Sequence, residues 1–198
     1  MKKYFLYTVA ISALCISCET TDEAFINETD NYIANKVAKI NQEDELLIYN
    51  DIIANYSTDT TLTYAQNLML FEQYVNAVLP QYLPQSGQYV NIDIGYVNIL
   101  NQTGDKYNFI QQLNFSQSFN QALTKLVKES TAPIPDLQDE NENRLIAVLS
   151  AMQQQGQGNG DEDDKWKRNN RTIAFAYGAQ YGFKQAVLYA GSVELKID

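Results

Sequence analysis

Near the end of this 198-residue chain, five small residues fall four apart: Ala174, Gly178, Gly182, Ala186 and Ala190. On a helix of about 3.6 residues per turn, that spacing stacks them along one face. A face without bulky side chains lets a second helix approach closely. Ile173, Phe175, Tyr177, Tyr181, Phe183, Val187 and Leu188 surround the seam. Residues 173–183 also alternate large and small, as a strand would, but a strand over 172–190 would far exceed the usual ~3–10 residues. The segment is therefore predicted to be helical, with its seam packed inside the domain. Gln180, Lys184 and Gln185 interrupt the run and argue against a membrane span. Insertion or self-association of 172–190 at a membrane stands as a rival reading.

The preceding chain carries further helical stripes. Ile33, Val37 and Ile40 fall at i, i+4 and i+7. Asn41 is a plausible cap for a second helix with Leu46, Tyr49, Ile53 and Tyr56 on one face. Ser57-Thr58-Asp59 breaks that helix and can cap a third, in which Leu68, Phe71, Val75 and Val78 repeat the spacing until Pro80 and Pro84 stop it. Residues 120–129 read as helix, and so does the stretch marked by Leu145, Ile146, Val148, Leu149 and Met152. The acidic run from Asp136 to Glu142 leads into the latter, and Gly156 to Gly160 is a glycine-rich loop.

Residues 86–120 support two readings. Val90, Ile92, Ile94 and Tyr96 alternate with polar residues or glycine, and Tyr107, Phe109, Leu113, Phe115 and Phe119 fall on odd positions. That pattern would make a hairpin around a loop at 101–105. Ile94, Val97 and Leu100 equally suit a helix, as do Phe109, Leu113 and Leu123. The fold class expected is mostly α, a single helical-bundle-like domain after an acidic tether. A short β-hairpin around 88–115 remains open as an alternative.

What the composition lacks narrows the chemistry. The chain has no histidine, and its two cysteines are Cys15 and Cys18. Beyond residue 18 there can be no disulfide, thiol nucleophile or cysteine metal site, and the commonest general base is missing. Asn159, Asp161 and Asp163 have the alternate spacing of the first EF-hand ligands. The match then fails, because Asp164 stands at the turn glycine and Asn170 at the bidentate glutamate. Asp161–Lys165, Asp163–Lys167 and Asp164–Arg168, each acid before base four apart, fit a helix start better. Trp166, the only tryptophan, is expected to anchor that helix. Neither a G-x-S-x-G elbow nor a phosphate loop is present, so no catalytic, cofactor-binding or metal residue is assigned. With a net charge of −10 and no basic cluster, nucleic acid is not an expected partner. Asn (19 residues) and Gln (18 residues) are abundant, with no functional account from sequence.

The first residues supply an address. Lys2 and Lys3 precede an apolar run, Phe5 to Ser17, too short for the ~20 residues of a spanning helix. Ala13-Leu14-Cys15-Ile16-Ser17 lead to Cys18, and Glu19-Thr20-Thr21-Asp22-Glu23 follow. This resembles a bacterial lipoprotein signal peptide, whose lipobox ends in a cysteine. Ile16, Ser17 and Cys18 fit, while Cys15 stands where leucine is commonest. The resemblance covers residues 1–18. It implies cleavage before Cys18, a diacylglycerol on its thiol and acylation of the new amino group. The acidic stretch after Cys18 also resembles the surface-export signals of some Gram-negative lipoproteins.

The organisation expected is a signal peptide over 1–17, a lipidated Cys18 and acidic tether over 18–30, and one mostly helical domain over 31–198. Loss of Lys2 and Lys3 with the leader would take the net charge from −10 to −12. Hydrophobic content of 45% suffices for a packed core. The function expected is a lipid-anchored protein of the cell envelope, at the outer membrane, acting by binding or as an assembly component. Its partners would be the membrane, through the lipid, and an envelope protein. The alternative is an envelope glycan hydrolase working through a pair of Asp/Glu carboxylates.

Overall fold

The computed structural model describes residues 42–102, 106–155 and 162–195. Among them the chain forms eight α-helices and no strand: α1 (Gln42–Ala54), α2 (Tyr64–Tyr82), α3 (Ile94–Gln102), α4 (Lys106–Gln111), α5 (Gln117–Lys128), α6 (Glu140–Gln154), α7 (Glu162–Ala179) and α8 (Phe183–Glu194). The Ile33–Val37–Ile40 stripe, Asn41 as a cap, Cys18 and the 156–160 loop lie outside the described residues.

The helix starts follow from short polar side chains. Thr63 and Gln66 form a reciprocal capping box at the head of α2. Ser116 accepts from the Phe119 amide to cap α5, and Asp139 accepts from the Glu142 amide to cap α6. Each such cap is worth about 1 kcal/mol. The cap of α2 is thus Thr63, not the Ser57–Asp59 run expected from sequence. Asp59 instead folds the connecting turn, accepting from the Thr61 amide at 2.8 Å. Nor does Pro80 end α2, which continues to Tyr82. The backbone bond that proline removes falls in the last turn, where the helix is already ending. Pro84 then opens a short 3-10 turn, Pro84–Ser86.

The seam of small residues is not one helix. Between α7 and α8 the chain turns at Gly182, whose φ of 123° only glycine adopts without strain. The two halves fold back antiparallel, so that Gly178 lies against Gln185 and Ala186, while Arg171 meets Glu194. The seam's packing partner is its own second half. A Cβ at Gly178 would overlap the backbone of Gln185 and Ala186, which is why that position carries none.

Helix α8 is the centre of the fold. Lys184 and Ala186 to Val193 are all buried, and α7, α2, α1 and α3 pack around them. A helix apolar on nearly every side needs that enclosure. Gly191 of α8 seats the Phe71 ring of α2. Beyond α7, α6 joins α1 and α5, and α4 rests on α5. Phe71, Leu79, Phe119, Leu123, Ile146, Leu149 and Phe175 are essentially inaccessible. Each such side chain contributes about 1.5–3 kcal/mol through burial. None of the described helices is long and apolar enough to cross a membrane.

The hairpin alternative around 88–115 is not what forms. Residues 94–102 and 106–111 are helical, and 88–93 is an irregular segment that joins no strand. The alternation seen in sequence has a local cause. Ile92 is buried and Val90 half-buried, while Tyr89 and Asn91 are exposed, so side chains alternate as on a strand. The pattern stops where Asp93 accepts from the Tyr96 amide and starts α3.

Candidate functional site: a tyrosine face under a clamped strap

The segment Gly87–Asp93, called the strap below, crosses α2 and α8 and bonds its backbone to side chains. Asn76 of α2 accepts from the Val90 amide at 2.9 Å and donates to the Val90 carbonyl at 2.8 Å. Glu72, one turn earlier, accepts from the Ile92 amide at 2.6 Å and from the Tyr89 hydroxyl at 3.0 Å. Lys184 of α8 donates to the Gln88 carbonyl at 2.6 Å and to Asn76 Oδ1 at 3.2 Å. Tyr189, farther along α8, accepts from the Asp93 amide at 3.3 Å. The two helices thereby take the place of a neighbouring strand.

Lys184 is unusual in this arrangement. It is 6% exposed, and its bonded partners are neutral oxygens. Among the described residues no carboxylate pairs with it. A cation buried in that way is costly, and burial accordingly pushes the Lys184 ammonium below its ordinary value. The short bond to Gln88 is charge-assisted, which partly offsets that cost.

Asn67 and Asn143 repeat the device of Asn76. The first accepts from the Asp59 amide at 3.0 Å and donates to the Asp59 carbonyl at 2.8 Å. The second accepts from the Leu137 amide at 2.7 Å and donates to the Leu137 carbonyl. Each helix-borne carboxamide satisfies both backbone groups of one residue in an adjoining irregular segment. Part of the asparagine abundance is thereby explained, and its role is structural.

Where the strap enters α3, four tyrosines converge. The Tyr96 ring lies flat on that of Tyr177, centroids 3.6 Å apart and planes at 11°. Tyr189 meets Tyr177 edge-on at 4.9 Å, and Phe109 closes on Tyr96 at 5.5 Å. Tyr181, on the turn between α7 and α8, sits edge-on to Tyr177 at 5.5 Å and is 61% exposed. The turn that ends α7, in which the Tyr181 amide donates to the Gly178 carbonyl at 2.9 Å, keeps Tyr181 beside Tyr177, and the antiparallel return of α8 brings Tyr189 to them. Burial, then hydrogen bonding with Tyr181, pushes the Tyr177 phenol well above its ordinary range. Burial likewise raises Tyr96 and Tyr189. These hydroxyls stay protonated at physiological pH, offering flat rings with neutral donors and acceptors. That chemistry suits contact with amides, hydroxyls and other rings.

Glu45, which is buried, and Glu194, which is half-buried, are engaged elsewhere. Glu45 pairs with Arg144 at 3.0 Å, and burial raises its carboxyl against the lowering pull of that arginine. Glu194 takes Arg171 at 3.0 Å and Lys167 at 3.1 Å. The Lys167 ion pair thus runs to α8, not to Asp163 as the sequence spacing suggests. The hairpin brings Glu194 within reach from the far end of the fold. Trp166 is half-buried under Lys106, whose ammonium lies 5.1 Å from the ring centroid. Asp163, at the start of α7, is exposed, and among the described residues no group of three or more His, Cys, Asp or Glu is placed to hold a metal.

No motif or spacing in the sequence points to Glu72, Asn76 or Tyr189; Lys184 reads only as an interruption of the apolar run, Tyr177 and Tyr181 as seam neighbours, and Tyr96 as part of the alternating stretch. The available signal was Lys184 itself, a charge within an otherwise apolar helix. Comparison of the chain with protein-family models, with curated proteins and with solved structures finds no match.

Proposed function

We propose that this chain is a lipid-anchored cell-envelope protein, held at the outer membrane through Cys18, whose helical domain works by binding or as an assembly component. The tyrosine face is its contact surface for an envelope partner. One observation carries the binding reading: Tyr181 stands 61% exposed over the Tyr96–Tyr177–Tyr189 cluster. A large ring held by other rings loses little freedom on contact, and tyrosine is enriched among residues that dominate interfaces. The attachment rests on the resemblance of residues 1–18 to a lipoprotein signal. The hydrolase alternative gains no support from Glu45 or Glu194, each already paired with arginine.

The test is cross-linking and recovery of the intact lipoprotein from envelope extracts. The Tyr181→Ala protein should lose a specifically recovered partner roughly 10-fold or more, while Leu47→Ala, at a 64% exposed position on α1, should retain it. Equal recovery with Tyr181→Ala would contradict this surface. Glycan hydrolysis abolished by carboxylate-to-amide changes would overturn the non-catalytic reading.

A further inference from the structure

We infer that the strap Gly87–Asp93, with the first turn of α3, is a flap latched by Lys184 and Asn76, and that it opens as a unit to bare the ring face of Tyr177 and the hydroxyl of Tyr189. This names the regulation of the tyrosine face and rests on the reading of that face as a contact surface. The flap's opening is measurable without any partner.

Three features set the flap apart from the helices around it. Its backbone at Gln88, Val90, Ile92 and Asp93 bonds to the side chains of Glu72, Asn76, Lys184 and Tyr189. Those bonds come from two helices that hold each other independently, Phe71 of α2 being seated on Gly191 of α8. Releasing the strap therefore leaves the α2–α8 packing in place. The flap also buries few of its own side chains: over residues 87–97 only Ile92 and Val97 are buried, Val90 and Tyr96 are half-buried, and the rest are exposed. Segments with few buried apolar contacts are the ones that open below the global unfolding energy.

The latch has a centre. Asn76 Oδ1 receives both the Val90 amide and the Lys184 ammonium, so one atom joins the two halves of the clamp. Lys184 orients that carboxamide and holds the Gln88 carbonyl at the same time. At the other end Tyr96 occupies the face of Tyr177, and Asp93 occupies the Tyr189 hydroxyl. The flap thus fills, with a ring and a backbone amide, the positions that an incoming ring and a polar group of a partner would take.

The experiment is hydrogen exchange by mass spectrometry on the full-length protein in detergent, across low urea concentrations. Residues 87–97 should exchange through an opening with weaker urea dependence than residues 183–193 of α8. Lys184→Met should accelerate exchange at 87–97 roughly 10- to 100-fold, the loss of a charge-assisted bond, and leave residues 145–153 of α6 unchanged. Exchange at 87–97 that matches α8 in rate and urea dependence in the unmodified protein would overturn the proposal. So would a Lys184→Met effect that is absent at 87–97 or equal everywhere. Where Lys184→Met does not fold, the comparison of 87–97 with α8 in the unmodified protein decides by itself.

Discussion

The carboxamide of Asn76 pairs with both backbone groups of Val90, at 2.9 and 2.8 Å, and shares its oxygen with the ammonium of Lys184. A side chain on a helix thereby does the work of a strand edge, giving an irregular segment a fixed path.

Asn76→Ala removes an acceptor and a donor at once, leaving the Val90 amide and carbonyl without those partners and Lys184 with one oxygen fewer. The expected loss is about 2–4 kcal/mol, from two part-buried backbone groups at roughly 1–2 kcal/mol each. Urea unfolding of the variant measures it. Asn143→Ala, which strips the same pair of bonds from Leu137, should cost a similar amount. A change within about 0.5 kcal/mol for both would show that water replaces the carboxamide without penalty.

Gly178→Ala adds one methyl group where the Gln185 and Ala186 backbone already sits. Backbone cannot rotate out of the way as a side chain would, so the α7–α8 hairpin must spread. A loss of about 2 kcal/mol or more is expected despite alanine's better helix propensity. For a domain of this size that lowers the melting temperature by roughly 4–8 °C. An unchanged melting temperature would mean that the two helices are farther apart than the seam requires.

Tyr49 is 2% exposed, its ring lies edge-on to Phe175 at 5.7 Å, and its hydroxyl has no hydrogen-bond partner among the described residues. Tyr49→Phe keeps the ring contact and removes that hydroxyl, so stability at neutral pH should hold or rise by up to about 1 kcal/mol. Burial pushes the Tyr49 phenol far above its ordinary value, as it raises Tyr96, Tyr177 and Tyr189. Each phenol binds its proton more tightly in the folded chain. The stability they contribute is therefore whole below the unfolded value of about 10 and is lost as pH rises through the higher folded values. Alkaline titration followed by tyrosinate absorbance should show these groups ionising only as the fold gives way. In Tyr49→Phe the fall of stability above pH 10 should be shallower by up to about 1.4 kcal/mol per pH unit. A destabilised Tyr49→Phe protein at neutral pH would point to a buried water on the hydroxyl.

The helical class was legible because apolar residues at helical spacing face the core, as Leu68, Phe71 and Val75 do on α2. The seam was legible as small residues four apart, but not its fold. Whether Gly182 continues a helix or turns it depends on the packing of the two halves, and that is a tertiary fact. The strap shows the same limit from the other side. Val90 and Ile92 alternate because their backbone is extended, yet periodicity cannot say whether a strand or Asn76 and Glu72 take the ladder bonds. The tyrosine face was illegible for a related reason. Tyr96, Tyr177 and Tyr189 belong to three helices, and only the α7–α8 return brings them together. Lys167 chose Glu194 over Asp163 by the same return.

The proposed attachment through Cys18 is tested most directly by intact-mass analysis of the protein extracted from bacterial envelopes. The predicted species begins at Cys18 and carries a diacylglyceryl group with a further acyl chain on its amino terminus, and the Cys18→Ser protein carries neither. A wild-type mass equal to that of the unmodified polypeptide, at whatever cleavage point, would contradict it.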